Sequence, residues 1–262
     1  MPGFLLNALF GALLSGISLA VFAPYVTLRR ISYLGEALSH IAFAGIAIAI
    51  ITGINLSLGA LIFVCAVALG ISWLSKQHKI QEANTITIFL SLSMALGIIL
   101  ISLSRNYTFD LSSYLFGNVL LISGNELWAL GILNILNIAF VMFFYKELFY
   151  LSYNAEMSGV FRIRTDAVDK VFYLLLAANI VFNLKSAGII LVTAQLILPA
   201  VIAFNLVQRL HTAIITAVIV AIISALGGFA LSFALNLPTG ATIVVCQALL
   251  YAASFIIRRR RT

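Results

Sequence analysis

The sequence predicts an all-α, polytopic integral membrane protein, a single bundle of about nine transmembrane helices. Of its 262 residues, 63% are hydrophobic and only 9% are charged. Soluble domains carry about 25% charged residues, and a surface so poor in charge must be solvated mostly by lipid. Long stretches also lack charge altogether: residues 4–28 contain none, and roughly 20 apolar residues are enough to cross a bilayer core.

Nine apolar segments give the predicted spans. Their approximate ranges are 4–28, 35–52, 56–75, 84–104, 126–145, 167–184, 187–206, 212–235 and 240–257. The connections between them are short, so residues 1–262 are expected to form one transmembrane domain. Residues 111–125 are apolar but too short to span, and we expect a re-entrant or interfacial element there. Eight spans plus that element is the alternative count.

The positions of the positive charges predict the orientation. With the N-terminus outside, only Arg105 and Lys185 of the fifteen Lys and Arg residues fall outside, and the rest lie in cytoplasmic segments. Cytoplasmic enrichment of Lys and Arg is the usual pattern, so we expect an N-out, C-in topology. The net charge of +7 is explained by this topology and does not indicate nucleic-acid binding. Arginines 258–261 are expected to stop the last span at the lipid headgroups.

Most acids and histidines are assigned to loops or helix ends, among them Glu82 and Asp169 on the cytoplasmic side. Glu36 and His40 remain, and both lie in the second predicted span. Such groups are costly in a membrane and usually mark a functional site. A spacing of four residues places both on one helical face, and a carboxylate with an imidazole suits Zn²⁺, Mn²⁺ or Fe²⁺. His40 would lie roughly 15 Å beyond Arg30, near the bilayer midplane. The pair predicts a metal site on a transport pathway, and a buried pair that only fixes helix packing is the alternative.

Three further residues are candidates for the pathway. Ser39 belongs to a stripe of small residues that makes the second span thin and allows neighbours to approach closely. The span 187–206 carries Gln195 and an interior proline, Pro199, which removes a backbone donor and kinks the helix. Ordinary helix packing is the alternative explanation for each of them.

The sequence does not indicate an enzyme. It contains no Gly-Lys pair and therefore no P-loop, and neither HExxH nor GxSxG occurs. Any ATP hydrolysis must then occur in a separate subunit. The longest predicted cytoplasmic loop, about 146–170, mixes charges with apolar residues, which suits docking of a cytoplasmic partner. A solvated loop on the membrane surface is the alternative.

Several motifs carry a family resemblance. Residues 29–40, Arg-Arg-Ile-Ser-Tyr-Leu-Gly-Glu-Ala-Leu-Ser-His, resemble the second-helix signature of the zinc/manganese permease family of ABC transporters. Residues 113–118, 186–199 and 237–244 resemble further motifs of that family in the same order. The resemblance covers nearly the whole chain, and the motifs together are far more specific than any one alone.

This resemblance implies a complete transport assembly in the cell inner (plasma) membrane. It implies a permease homodimer on two copies of a cytoplasmic ATPase, fed by an extracytoplasmic metal-binding protein. Glu36 and His40 would be the metal site, although the family usually has Asp at position 36. The positions that would contact the ATPase are Asn154, Glu156, Gly159 and Arg162. Asn154 replaces the usual acid there, and Arg162 stands where glycine is expected.

The predicted substrate is a divalent transition metal, with zinc preferred. This preference rests on the resemblance of residues 113–118 and of the C-terminal segment, together with the imidazole of His40, which suits zinc. Manganese or iron in the same family is the alternative. An ATP-independent secondary transporter that uses Glu36 as an ion relay is a second alternative. An intramembrane metalloprotease is disfavoured because His40 would be its only intramembrane histidine.

Overall fold

The computed structural model describes residues 3–78, 82–103, 122–153 and 165–259, and every regular element within them is an α-helix. The helices are α1 Gly3–Ala20, α2 Ala23–Leu28, α3 Tyr33–Thr52, α4 Leu56–His78, α5 Glu82–Leu103, α6 Gly124–Phe143, α7 Tyr145–Tyr153, α8 Thr165–Leu206, α9 Leu210–Leu235 and α10 Thr239–Arg259. Most of the predicted element at 111–125, the motif at 113–118 and the four coupling positions between 154 and 162 lie outside the described residues.

The predicted all-helical membrane fold is confirmed. In the described part of the chain, eight helices are long and apolar enough to cross a membrane, with α1 and α2 together counted as one. Their bounds agree with the predicted spans to within a few residues. Two predicted spans, 167–184 and 187–206, are joined in the 42-residue helix α8.

Helix α8 is not one straight helix. At 1.5 Å per residue its length would be about 63 Å, roughly twice the hydrocarbon thickness of a bilayer. Gly188 inside it has φ 74° and ψ 167°, a conformation essentially restricted to glycine. Three residues earlier, Lys185 is 56% exposed and forms a 2.6 Å ion pair with Glu126. The bend therefore divides α8 into two apolar segments, and the described residues then offer nine candidate crossings.

The first predicted span is broken, which corrects the expectation of one helix over 4–28. Helix α1 ends at Ala20 and α2 starts at Ala23. Pro24 has no N–H to donate to the carbonyl of Ala20, so the regular ladder cannot continue. Instead, the N–H of Phe22 bonds the carbonyl of Leu19, three residues back, at 3.1 Å. Regular α-helix is thus interrupted between Ala20 and Ala23.

The segment 146–170 is not a loop throughout. Helix α7 occupies Tyr145–Tyr153 and α8 starts at Thr165, so only residues 154–164 remain outside the described helices. Leu148 and Ser152 of α7 are buried, and their spacing of four residues gives the helix one face against the bundle. The segment predicted as a loop is thus helical at both of its ends.

Glycines allow α3 to pack tightly against its neighbours. A Cβ on Gly59 of α4 would lie 2.5 Å from the Cβ of Ala49, and one on Gly45 would lie 2.7 Å from the Cα of Ala60. A Cβ on Gly35 would lie 2.6 Å from Leu196 of α8. The small residues of α3 therefore serve close helix packing, the alternative that the sequence left open.

Candidate functional site: a metal-ligand pair and a buried charge cluster

Helix α3 carries Glu36 and His40 on a stripe that faces out of the bundle. Glu36 is exposed and His40 is half-buried. Tyr33, three residues before Glu36, is 44% exposed and belongs to the same stripe. Buried side chains flank it on both sides: Leu34, Gly35, Ala37, Leu38 and Ser39. Because Glu36 is exposed, the alternative of a buried pair that only fixes helix packing does not apply to it.

The stripe provides two side chains of the metal-ligand type. His40 is the eighth of the twenty residues of α3, about 10 Å from the helix start at 1.5 Å per residue, and so well inside the span. No group of three or more His, Cys, Asp or Glu side chains that could hold a metal occurs among the described residues. Transition metals take four or more ligands. The two side chains, Glu36 and His40, do not by themselves reach that number.

The other pathway candidates lie elsewhere in the fold. Ser39 is buried, and its hydroxyl donates to the carbonyl of Gly35 at 2.8 Å. Gln195 is fully buried, and its Oε1 accepts a 2.8 Å hydrogen bond from Nε2 of Gln247 on α10. Pro199 is buried in the second half of α8. The structure does not bring these three side chains to the exposed stripe with Glu36 and His40.

A cluster of charges is buried where four helices meet. Arg29, whose side chain is 6% exposed, donates from Nη1 to Oδ1 of Asp169 at 2.7 Å and from Nη2 to Oε1 of Glu82 at 3.0 Å. Its Nη2 also lies 3.5 Å from the Tyr173 hydroxyl. The hydroxyl of Ser72 donates to Oδ2 of Asp169 at 2.9 Å. We call Arg29, Ser72, Glu82, Asp169 and Tyr173 the Arg29 cluster.

Aromatic rings enclose the guanidinium of the Arg29 cluster. The Cζ of Arg29 lies 5.1 Å from the ring centroid of Phe172 and 5.2 Å from that of Tyr173, within cation–π range. Burial by itself lowers the pKa of Arg29, but Tyr173, Asp169 and Glu82 outweigh it and raise this pKa above its ordinary range. Arg29 therefore remains charged, and removing one partner of such a buried pair typically costs about 3–5 kcal/mol.

A tight turn joins the cluster to α3. At the end of α2, the N–H of Arg30 bonds the carbonyl of Thr27 and that of Ile31 bonds the carbonyl of Val26, both at 3.1 Å. This is the Schellman pattern, in which glycine usually takes the left-handed position. Arg30 takes it here with φ 60°, at a cost of about 1–2 kcal/mol. The backbone from Arg29 to α3 is thus held by hydrogen bonds.

The Arg29 cluster is not apparent from the sequence. Glu82 and Asp169 are predicted in cytoplasmic loops or helix ends, yet Asp169 is fully buried. All three charges do fall on the same predicted side, and two aromatic residues closely follow Asp169. These signals favour an ion pair, but 140 residues separate Arg29 from Asp169. Only the fold shows that they meet.

Asparagine side chains form several of the polar contacts between helices. Asn137 of α6 and Asn179 of α8 exchange amide hydrogen bonds of 2.8 and 3.1 Å, and Ser18 of α1 also donates to Asn179. Asn134 donates to the carbonyl of Leu14 at 3.0 Å. The amide nitrogen of Asn183, however, donates to the Asn179 carbonyl within its own helix.

Comparison with known proteins identifies the family. The sequence profile of the ABC 3 transport family matches residues 1–258. The chain belongs to this family. It is 36% identical over 254 residues to the manganese transport system membrane protein MntC of Listeria innocua, covering 97% of this chain and 90% of that protein. It is 28% identical over 256 residues to the high-affinity zinc uptake system membrane protein ZnuB of Haemophilus influenzae, covering 96% and 98%.

The fold also matches a solved structure of PsaBC from Streptococcus pneumoniae in complex with Fab. The TM-score is 0.82 at 28% identity, covering 96% of this chain and 91% of that one. The predicted membership in the zinc/manganese ABC importer permeases is confirmed. The relatives include both manganese and zinc systems, so they do not support the predicted preference for zinc.

Proposed function

We propose that this chain imports a divalent first-row transition metal by alternating access, with ATP hydrolysed by a cytoplasmic partner. The observation that carries the proposal is the Glu36–His40 pair on the outward stripe of α3. Ionisable side chains are rare within membrane spans and commonly mark substrate or ion pathways. A carboxylate in the first turn of α3 and an imidazole one turn further on therefore indicate a ligand-binding role.

The exposed position of Glu36 supports a homodimer. One chain offers two candidate ligands on this stripe, and a second copy facing it would offer two more, which reaches the four that a transition metal needs at minimum. The two stripes would then form the walls of a pathway between the subunits. Exposed apolar side chains elsewhere on the bundle can contact lipid, so they need no partner from a second copy.

Manganese is the first candidate for the substrate, and zinc is the second. The relative named for manganese is 36% identical to this chain and the one named for zinc is 28% identical. A carboxylate favours manganese and an imidazole favours zinc, so the pair suits both ions. The choice between the two ions therefore requires the uptake measurement described below.

The N-out, C-in topology assigns residues 29, 82 and 169 to one side of the membrane and residues 126 and 185 to the other. Two sets of ion pairs support this assignment. The ion pairs of Arg29 hold residues 29, 82 and 169 together at one end of the bundle. The pair of Lys185 with Glu126 joins two residues assigned to the other side. We propose that the first end is cytoplasmic in the inner membrane and presents residues 154–164 to the ATPase. The opposite end would receive the metal from an extracytoplasmic binding protein.

The test is uptake of radioactive manganese and zinc into vesicles that contain the chain with its ATPase and binding protein. We expect uptake to require ATP, to prefer one ion, and to disappear in Glu36→Gln and His40→Ala. Lys185→Gln is the matched control because it removes a charge outside the stripe. Uptake without ATP would contradict the importer and favour a secondary transporter, whereas ATP-driven uptake in His40→Ala would contradict the site alone.

A further inference from the structure

We propose that the Arg29 cluster couples the ATPase-facing segment to the helix that carries the metal ligands. This inference rests on the proposed function and assigns a positioning role in it to Arg29, Glu82 and Asp169. The role is distinct from metal binding, because none of these residues belongs to the stripe of Glu36 and His40.

The positions of the cluster residues along the chain support this role. Asp169 lies in the second turn of α8, the helix that begins directly after residues 154–164, which are proposed to meet the ATPase. Arg29 lies only seven residues before Glu36. The 2.7 Å bond between Asp169 and Arg29 therefore joins the two regions that a transport cycle must connect. The start of α5 is joined to them by Glu82.

The geometry of the contacts makes the connection stiff. The planar guanidinium of Arg29 bonds carboxylates from two different helices and lies against two aromatic rings of α8, so both its position and its plane are fixed. Its low exposure limits screening by salt. The Schellman turn at Arg30 then leads into α3, where the N–H of Leu34 bonds the carbonyl of Ile31 at 2.8 Å. A displacement of the α8 start thus reaches α3 through fixed contacts.

A purely stabilising role is the competing explanation. Apolar residues of similar volume often stabilise a protein as well as a buried ion pair does, so such a cluster is weak evidence for a stability role alone. What the cluster provides beyond stability is a defined geometry among α2, α4, α5 and α8. The two explanations differ in one measurable quantity, the number of metal ions transported per ATP hydrolysed.

The experiment removes the charges of the cluster. The triple variant Arg29→Gln, Glu82→Gln, Asp169→Asn replaces the three charged groups by neutral amides, and Arg29→Lys is a milder change that keeps the charge but loses the planar fork. Each variant is purified with its ATPase, and complex yield, ATPase rate and manganese and zinc uptake are measured in vesicles. We expect assembly and ATP hydrolysis to persist in the triple variant, with metal transported per ATP reduced at least tenfold, and an intermediate reduction in Arg29→Lys.

A matched control comes from the opposite end of the bundle. Lys185→Gln breaks the 2.6 Å pair with Glu126 and should leave the ratio of metal to ATP unchanged. If uptake and ATPase rate fall together in the cluster variants, in proportion to the assembled complex, the cluster only stabilises the fold and the proposal is overturned. An unchanged ratio in Arg29→Lys overturns it even if the triple variant does not assemble. Lack of ATP-driven uptake in the wild type would instead contradict the proposed function.

Discussion

The close approach of α3 and α4 can be tested by adding a single methyl group. In Gly45→Ala, the new Cβ would lie 2.7 Å from the Cα of Ala60, 2.9 Å from the carbonyl oxygen of Gly59 and 2.9 Å from the Cβ of Phe63. Ordinary carbon–carbon contacts lie at about 3.5–4.0 Å, so the two helices must separate locally by about 0.8 Å. None of these three atoms is the end of a flexible side chain, so the strain cannot be relieved by a rotamer change.

The expected magnitude follows from measured effects of overpacking. Adding a methyl group to a tightly packed site costs about 1–3 kcal/mol, while replacing glycine by alanine within a helix gains up to about 1 kcal/mol. Gly131→Ala in α6 isolates the second effect, because a Cβ there meets no atom within 4 Å. The two variants should therefore differ by roughly 2–12 °C in Tm at about 2–4 °C per kcal/mol, with Gly45→Ala the less stable.

Thermal unfolding in detergent, followed by tryptophan fluorescence and by loss of the monodisperse chromatography peak, is the assay for both variants. Equal Tm values for Gly45→Ala and Gly131→Ala would refute the packing argument. They would show that α3 and α4 are further apart than the glycine contacts indicate. Since Gly45 lies little more than one turn beyond His40, metal uptake by the folded fraction should also be measured.

Three further variants test other parts of the structure. His40→Ala should reduce metal uptake at least about 100-fold, because loss of even an outer-shell partner commonly costs 10–100-fold in affinity; complex yield with the ATPase should be unchanged. Asn179→Leu should lower stability by about 1–3 kcal/mol, since Asn137 is left without its amide partner, and thermal unfolding measures this. Arg30→Gly should keep or raise the Tm because it relieves the left-handed conformation, whereas Arg30→Val should lower it.

Each of these variants has an outcome that would contradict its argument. Normal uptake by His40→Ala would remove that residue from the metal site. Adding Asn137→Leu to Asn179→Leu should recover part of the lost stability because both polar partners are then replaced, and no recovery would contradict the pairing. A Tm for Arg30→Val equal to that of the wild type would contradict the strained turn.

The membrane-spanning helices were predictable because lipid requires long stretches without charge, and such stretches are visible in one sequence. The break between α1 and α2 was harder to predict, because Pro24 lies inside a long apolar segment without charge. The interruption of α8 at Gly188, by contrast, agrees with the two separate spans predicted at 167–184 and 187–206.

The candidate site was predictable only in its local part. A spacing of four residues determines that Glu36 and His40 share a helical face, whatever the rest of the fold. Whether that face is buried depends on the neighbours of α3, and the structure shows Glu36 exposed. The Arg29 cluster depends on contacts between residues 53 and 140 positions apart. Such pairing cannot be inferred from spacing or composition.

The glycine contacts between α3 and α4 restrict how these two helices can move relative to each other. A turn of α3 about its own axis would replace Gly45 at the contact with Ala60 by a larger side chain, which the 2.7 Å approach has no room for. We therefore expect α3 and α4 to tilt as one unit, without rotating against each other. Under the proposed function, a tilt of this pair would bring His40 to either side of the membrane while its orientation relative to α4 stays constant.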